Sequence, residues 1–154
     1  MHSGSLFCHF KSKETLLYEV MLEGMRSALA RQTIVLRGKH DAGTTLRQLI
    51  RLHFEVLLES SSDFMWAVLY ELRALNTRQR RLIEELQGNY EAAWTSVLHE
   101  LASTGCMRAE VPLARHLIFG SLNWSVQWFD AKNGASLDDL TDAMVTLVMH
   151  NTSR

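Results

Sequence analysis

The sequence contains little proline, glycine or cysteine: one, eight and two residues of 154. Because proline and glycine punctuate a chain at turns, their scarcity argues against a many-stranded sheet and favours long helices. Cys8 and Cys106 stand alone, without a CxxC pair or the spacing of metal ligands. A disulfide-rich scaffold is therefore excluded, and this cysteine usage is typical of a protein from a reducing cytoplasm.

Long apolar runs and an excess of charge of one sign are also missing. The longest uncharged apolar run, residues 64–70, is too short to span a membrane, and the N-terminus has no secretory apolar segment. The formal net charge of −1 argues against a protein that coats nucleic acid. The charge is nevertheless uneven: residues 1–40 hold six Lys and Arg against three acidic residues, and residues 41–154 hold ten against fourteen. A basic front end of this kind suits an N-terminus that faces an anion.

Apolar residues recur at helical spacing over nearly the whole chain, which predicts an all-α fold. The first helix is expected over about residues 12–36, with Gly38 ending it. Asp41 can cap the second helix. Residues 64–70 are apolar all round, which predicts a short helix that is buried on every side.

The second half of the chain shows clear signals for helix starts. A capping box at Asn76 begins a long helix that is expected to run to Gly105. Pro112 suits the first turn of the next helix, which should continue to about residue 131. The last helix is expected to begin at Ser136.

The sequence carries no motif for catalysis or metal binding. It has no HExxH, no Glu-x-x-His pair, no glycine-rich phosphate loop and no plausible nucleophile, base and acid set. We therefore predict no catalytic residue, no metal ligand and no cofactor, and we do not expect an enzyme. His53 and His116 sit among apolar neighbours, so both are expected to be structural histidines with satisfied hydrogen bonds.

The start of the chain has an unusual arrangement of charge. Lys13 would stand in the first turn of a helix beside the candidate cap Ser12, where a cation works against the helix dipole. That placement makes sense if Lys13 faces a phosphate, which the same dipole attracts. The alternative is a solvated lysine whose charge is offset by Glu14.

Residues 4–17, which read GSLFxHFxxKExLL, closely resemble the end of the helix-turn-helix module of the TetR family of bacterial transcription regulators. In that family the segment forms the recognition helix, a corner and the start of the connecting helix. The resemblance implies an all-α, TetR-like fold with DNA contacts from Ser3, Gly4, Ser5, Phe7, His9 and Lys13. Phe7 replaces the more usual tyrosine, so a phosphate contact through a hydroxyl is lost. The alternative is that these are ordinary surface residues.

The resemblance also predicts how the chain divides. Residues 1–12 would be the remnant of the DNA-binding module, and residues 13–154 the effector-binding and dimerisation domain. The chain would begin inside the recognition helix, without the two helices that precede it in the family. A recognition stub of about eight residues is shorter than the ~12–15 residues at which isolated helices become marginal.

A second resemblance covers residues 119–129, FGxxNWxxxWF, and residues 136–140, SLDDL. These segments are similar to the last two helices of TetR regulators of the fatty-acid and sterol-catabolism type, which tend to answer to acyl-CoA thioesters. In the family these helices pair with the same helices of a second subunit. The implied homodimer contacts are Leu117, Ser121, Trp124, Trp128, Leu140, Met144 and Leu147. The alternative is that both helices pack on their own core.

The aromatic residues of the middle helices have two interpretations. Tyr90 and Trp94 are one turn apart and share a helix face. In the family the middle helices surround an apolar effector cavity, so the resemblance implies a ligand site lined by Phe54, Trp66, Tyr70, Tyr90, Trp94, Phe119 and Asn123. The alternative is that these side chains simply form the core.

Together these observations predict a cytoplasmic, homodimeric, ligand-responsive repressor, truncated at the N-terminus, that binds a small apolar effector such as an acyl-CoA and does not engage a membrane. The full-length protein would bind a DNA operator. The effector would shift the connecting helix and change the separation of two recognition helices, which must match major grooves about 34 Å apart. One alternative is a stand-alone helical module for ligand binding and dimerisation without specific DNA binding. A helical-bundle enzyme or carrier is the other.

Overall fold

The computed structural model describes residues 12–58 and 63–150, and within them the chain forms seven α-helices and no strand. The expected all-α fold is therefore confirmed. No helix in these two stretches is long and apolar enough to cross a membrane. The helices are α1 Lys13–Arg37, α2 Ala42–Leu58, α3 Asp63–Tyr70, α4 Thr77–Ala92, α5 Thr95–Ser103, α6 Val111–Trp124 and α7 Leu137–Val148. Short 3-10 turns occupy Leu72–Ala74, Ser125–Gln127 and Ala131–Asn133.

The predicted helix starts are confirmed by their caps. A side-chain oxygen accepts a hydrogen bond from the backbone N–H three residues further on at Ser12, Asp41, Asn76 and Ser136. Each of these bonds satisfies one of the N–H groups that a helix start leaves without a partner. Pro112 lies in the first turn of α6, as predicted.

Helix α2 lies at the centre of the fold. It packs against α1, α5, α6 and α7, and most of its side chains are buried. Helix α1 runs along its outer side and also packs against α3 and α4. The core therefore lies around α2, while α6 and α7 each keep one side uncovered.

The prediction that the short apolar helix is buried all round is wrong for two of its residues. Met65 and Val68 are buried, but Trp66 and Tyr70 are 47% and 45% exposed. The ring of Phe64 lies against α1 at Gly24, where an added Cβ atom would come within 2.1 Å of the ring. Helix α3 thus docks on one side only, and its larger aromatic residues face outward.

The long helix expected to run to Gly105 is broken between Ala92 and Thr95, which separates α4 from α5. At the break the backbone N–H of Trp94 bonds to the carbonyl of Glu91 instead of that of Tyr90. The turn places the Trp94 side chain fully inside the core. No glycine or proline occupies residues 89–95, so the usual local turn signals do not predict this break.

The helix from Pro112 is also shorter than predicted. It leaves α-helical geometry after Trp124 rather than near residue 131, and a 3-10 turn follows. Ser125 is buried there, and its hydroxyl donates to the carbonyl of Leu122 at 2.6 Å. The hydroxyl thus competes for a carbonyl at the end of the helix, which favours a tighter turn.

Gln32 of α1 satisfies the polar groups at the break. Its side chain is buried, and its Nε2 donates to the Tyr90 carbonyl at 3.1 Å. Its Oε1 accepts a hydrogen bond from Trp94 Nε1 at 2.8 Å. One amide therefore satisfies both a carbonyl freed by the break and a buried indole N–H.

We predict that Gln32→Leu lowers the free energy of unfolding by about 2–4 kcal/mol, because it leaves two buried polar groups without partners. Gln48→Leu is the matched control, since Gln48 is half-buried and forms no hydrogen bond within the described stretches. Urea denaturation monitored by circular dichroism measures both variants. Equal stability of the two variants would contradict the prediction.

Candidate functional site

The predicted DNA contacts fall mostly outside the described residues. Ser3, Gly4, Ser5, Phe7 and His9 lie before residue 12. Lys13 is exposed in the first turn of α1. Its predicted contact with a phosphate therefore stays a prediction.

Six of the seven predicted dimer residues lie on α6 and α7, and Trp128 follows the 3-10 turn after α6. Leu117, Trp124 and Leu147 are 69%, 62% and 79% exposed, which is unusual for large apolar side chains on adjacent helices. A groove of about 360 Å³ runs between the two helices. Four residues of the predicted set line the groove: Leu117, Ser121, Met144 and Leu147. Trp128, four residues after Trp124, is also exposed. Leu140 and Met144 are partly buried and pack on the core. We refer to this surface as the α6–α7 face.

Four of the predicted ligand residues come together around His53. The His53 ring centroid lies 5.6 Å from that of Tyr90, 6.0 Å from that of Trp94 and 5.3 Å from that of Phe119. Asn123 of α6 completes the set with a hydrogen bond of 2.9 Å between its Oδ1 and His53 Nε2. This His53 cluster joins α2, α4, α6 and the turn between α4 and α5 that contains Trp94.

The other three predicted ligand residues are placed differently. Phe54 is buried next to His53 in α2. Trp66 and Tyr70 contact each other at the surface, with ring centroids 4.3 Å apart and ring planes tilted by 41°. The predicted ligand set therefore divides into a buried cluster and an exposed aromatic pair.

His53 is a structural histidine, as expected, and its protonation state follows from its partners. The Asn123 carbonyl oxygen only accepts, so Nε2 carries the proton. Nδ1 then accepts from the Tyr90 hydroxyl, 3.1 Å away. Burial lowers the pKa of His53 from 6.5 to about 4, although the Asn123 hydrogen bond opposes this shift. Burial likewise raises the pKa of Tyr90 above its usual range, so both groups are neutral near pH 7.

His116 does not meet the expectation made for it. Its side chain is exposed on α6, because the helix turns that position toward solvent. Gln32, by contrast, was missed. It continues the buried face of α1 that includes Met21, Met25 and Ala28, so a polar residue in helical register with apolar ones was the available signal.

A chain of ion pairs connects α1 with α7 across α2. Glu55 of α2 accepts from Arg31 of α1 at 2.5 Å and lies 3.0 Å from Arg51. Arg51 in turn lies 2.8 Å from Asp138 in the first turn of α7. Arg47 pairs with Asp142 one turn further along α7. We refer to this set as the α1–α7 ion-pair chain.

The structure provides no set of metal ligands in its described stretches, where no three His, Cys, Asp or Glu residues converge. The arrangement offers instead a sealed aromatic cluster with two polar members, an exposed apolar face and a connecting set of charges. Such features suit binding and association.

We predict that the stability of the protein falls between pH 6.5 and about 4 because of His53. Below pH 6.5 the unfolded chain takes up a proton at His53 that the folded protein binds only near pH 4. The free energy of unfolding is therefore lower by about 3 kcal/mol at pH 4 than at neutral pH. Urea denaturation at several pH values measures this slope.

The controls use two histidine variants. His99 is exposed, so His99→Gln should leave the dependence of the unfolding free energy on pH unchanged. His53→Leu should remove most of it, at a lower overall stability. A slope unchanged in His53→Leu would contradict the assignment.

Comparison with known proteins identifies relatives for most of the chain. Residues 39–152 match the family described as tetracyclin repressor-like, C-terminal domain. A fatty acid metabolism regulator protein from Bacillus subtilis is 29% identical over 125 residues, which cover 80% of this chain. The match spans 64% of the length of that relative.

Solved structures with the same fold include proteins of different kinds. The superantigen PfiT is 30% identical, with a TM-score of 0.81 over 97% of this chain and 79% of its own. AibR, solved with isovaleryl coenzyme A and operator DNA, is 20% identical, with a TM-score of 0.84 over 96% of this chain and 80% of its own. The fold alone therefore does not decide function. Because the family match covers most of the chain and the fold agrees with it, the chain belongs to the TetR family, and residues 39–152 form a tetracyclin repressor-like C-terminal domain.

Proposed function

We propose that the chain acts in a cytoplasmic transcriptional repressor that binds operator DNA as a homodimer and responds to an acyl-CoA. The single observation that carries the proposal is the exposed α6–α7 face in a chain of this family. A large apolar surface on a soluble domain marks an interaction site, and a second copy of the chain offers a matching apolar surface.

The DNA part of the proposal is supported by the relatives and by the charge at the front of the chain. AibR was solved with operator DNA, and the Bacillus relative is named a regulator. Residues 1–40 carry an excess of three positive charges, six against three. Lys13 would contact a phosphate together with Ser5 and His9.

The effector part is supported by what the relatives are named for. AibR was solved with isovaleryl coenzyme A, and the Bacillus relative regulates fatty acid metabolism. We propose that the acyl group of the effector binds beside the His53 cluster, against Tyr90, Trp94 and Phe119, with Phe54 adjacent. Asn123 Nδ2 would supply the hydrogen-bond donor that a thioester carbonyl needs, while His53 holds the Oδ1 of the same amide.

The α1–α7 ion-pair chain suggests how an effector in the core alters DNA binding. Helix α1 is the segment that the resemblance identifies as the connecting helix, and α7 belongs to the proposed dimer face. A rotation of α2 would change the Arg31–Glu55 and Arg51–Asp138 contacts by different amounts and would thereby move α1 relative to α7. The separation of the two DNA-binding parts in a dimer would then change, which couples the two sites.

The alternative is a stand-alone module for ligand binding and dimerisation. It predicts the same dimer and the same effector but no operator preference. Titration of the chain against its own promoter region, with and without the residues encoded directly upstream of residue 1, decides between the two, since tight, sequence-specific binding in either form supports the repressor. Binding that is absent or equal on all sequences in both forms supports the stand-alone module.

We predict that isovaleryl-CoA raises the thermal midpoint of this chain, whereas isovaleric acid does not at equal concentration. A ligand at about 100 times its Kd stabilises a folded protein by about 2.7 kcal/mol, which a thermal-shift assay detects easily. Longer acyl-CoA thioesters test the chain length that the site accepts. If no thioester shifts the midpoint, the effector proposal is wrong.

We predict that Trp124→Asp converts a dimer into a folded monomer. The substitution puts a charge into an apolar contact, which is severely unfavourable without a partner. Because Trp124 is exposed in the single chain, its own fold should be unaffected. Sedimentation should give about twice 17.6 kDa for the unaltered chain and 17.6 kDa for the variant.

The matched control is Ile34→Asp, which places the same charge at another exposed large apolar residue, on α1 and not on α6 or α7. This variant should remain a dimer. A monomeric unaltered chain at micromolar concentration, or dissociation of both variants, would contradict the proposed interface.

A further inference from the structure

A cleft of about 560 Å³ opens where α3 ends and α4 begins. Leu69 and Tyr70 at the end of α3 form one wall, and Leu72 and Arg73 of the 3-10 turn lie between the helices. The first turns of α4 form the opposite wall with Thr77, Arg80, Arg81 and Glu84. A volume of this size accommodates a small molecule.

The cleft is strongly positive. Three arginines and one glutamate line it, which gives a formal charge of +2. Arg80 Nε lies 4.0 Å from Glu84 Oε1, a long contact between exposed groups that neutralises little charge. Neither Arg73 nor Arg81 pairs with a carboxylate elsewhere in the described stretches.

The positive charge of the cleft arginines is placed unfavourably when no anion is bound. Arg80 and Arg81 lie near the N-terminus of α4, where the helix dipole is already positive, and the first turn of α4 contains no acidic residue. Helix α7, in comparison, begins with Asp138 and Asp139. An anion bound in the cleft would relieve the repulsion at α4 that acidic residues prevent at α7.

An aromatic surface borders the same cleft. The Tyr70 ring lines it and is nearly half exposed, and the ring contacts Trp66 at an interplanar angle of 41°. The Tyr70 hydroxyl accepts a hydrogen bond of 2.8 Å from Gln127 Nε2, which fixes the ring from outside the cleft. A positioned aromatic ring next to arginines is the combination that holds a flat base and its phosphates.

We propose that this cleft binds a nucleotide, with its phosphates on Arg73 and Arg81 and its base against Tyr70. The nucleotide is either free or the phosphorylated adenosine end of a coenzyme A thioester, since both carry the same chemistry. For the second source the inference rests on the proposed effector; for the first it is independent of it.

The test is calorimetric titration of the full 154-residue chain with ADP, coenzyme A and inorganic pyrophosphate at constant ionic strength. We expect Arg73→Ala combined with Arg81→Ala to raise the Kd of all three probes by about tenfold or more, because charge-assisted hydrogen bonds to phosphate are lost. Tyr70→Ala should weaken the binding of ADP but leave the binding of pyrophosphate nearly unchanged, since pyrophosphate has no base to stack.

Arg78→Ala is the matched control. Arg78 is exposed in the same first turn of α4 but does not line the cleft, so the probes should bind this variant as they bind the unaltered chain. Circular dichroism checks that each variant is folded. Equal weakening by Arg78→Ala, no effect of the double variant, or no binding of ADP and coenzyme A to the unaltered chain would each overturn the inference.

Titration with isovaleryl-CoA separates the two sources and the two proposals. If isovaleryl-CoA binds much more tightly than ADP and the double variant loses this binding, the ligand of the cleft is the thioester. Binding of ADP without any binding of the thioester keeps the nucleotide site with a free nucleotide as its ligand, while the effector proposal fails. If the double variant still binds the thioester tightly, the proposed nucleotide site in the cleft is wrong, but the effector proposal is unaffected.

Discussion

The indole N–H of Trp94 needs an acceptor inside an apolar core, and this requirement determines how α1 meets α4 and α5. Gln32 supplies the acceptor and, through its other amide atom, takes up the Tyr90 carbonyl that the break between the helices releases. Neither group could remain unpaired at this depth without a large cost. His53 completes the arrangement, because its Nδ1 accepts a hydrogen bond from the Tyr90 hydroxyl and its Nε2 donates one to Asn123 of α6. The core is thus defined by directional bonds as well as by volume.

Three surfaces with different chemistry surround this core. The α6–α7 face is apolar, the cleft between α3 and α4 is positive and aromatic, and the start of α1 carries an exposed lysine. The α1–α7 ion-pair chain crosses the fold between the first and the last helix. Because its charges are partly exposed, each pair contributes little stability, and the chain of pairs is easier to rearrange than the core. That combination suits a protein in which binding at one place alters geometry at another.

Features with local causes could be predicted from the sequence, and those with tertiary causes could not. The caps at Ser12, Asp41, Asn76 and Ser136 depend on residues three positions away, so they are visible in the sequence. At the break, the partner of the Trp94 indole N–H is Gln32, which is 62 residues distant and so is not visible from the local sequence. The same limit applies to the site: aromatic residues could be assigned to the middle helices, but only the packing of α3 separates Trp66 and Tyr70 from the His53 cluster. The three arginines of the cleft lie within nine consecutive residues, but the opposite wall of the cleft depends on how the chain bends between α3 and α4.

The four tryptophans occupy environments that differ enough to label the molecule optically. Trp94 is fully buried and hydrogen-bonded, whereas Trp66, Trp124 and Trp128 are about half exposed or more. A buried indole emits at shorter wavelength and is shielded from ionic quenchers, while exposed indoles emit at longer wavelength and are accessible to them. Trp66 touches Tyr70 at the positive cleft, and Trp124 ends the helix of the apolar face. Occupation of the cleft, association of two chains and disturbance of the core therefore each change a different component of one intrinsic emission spectrum.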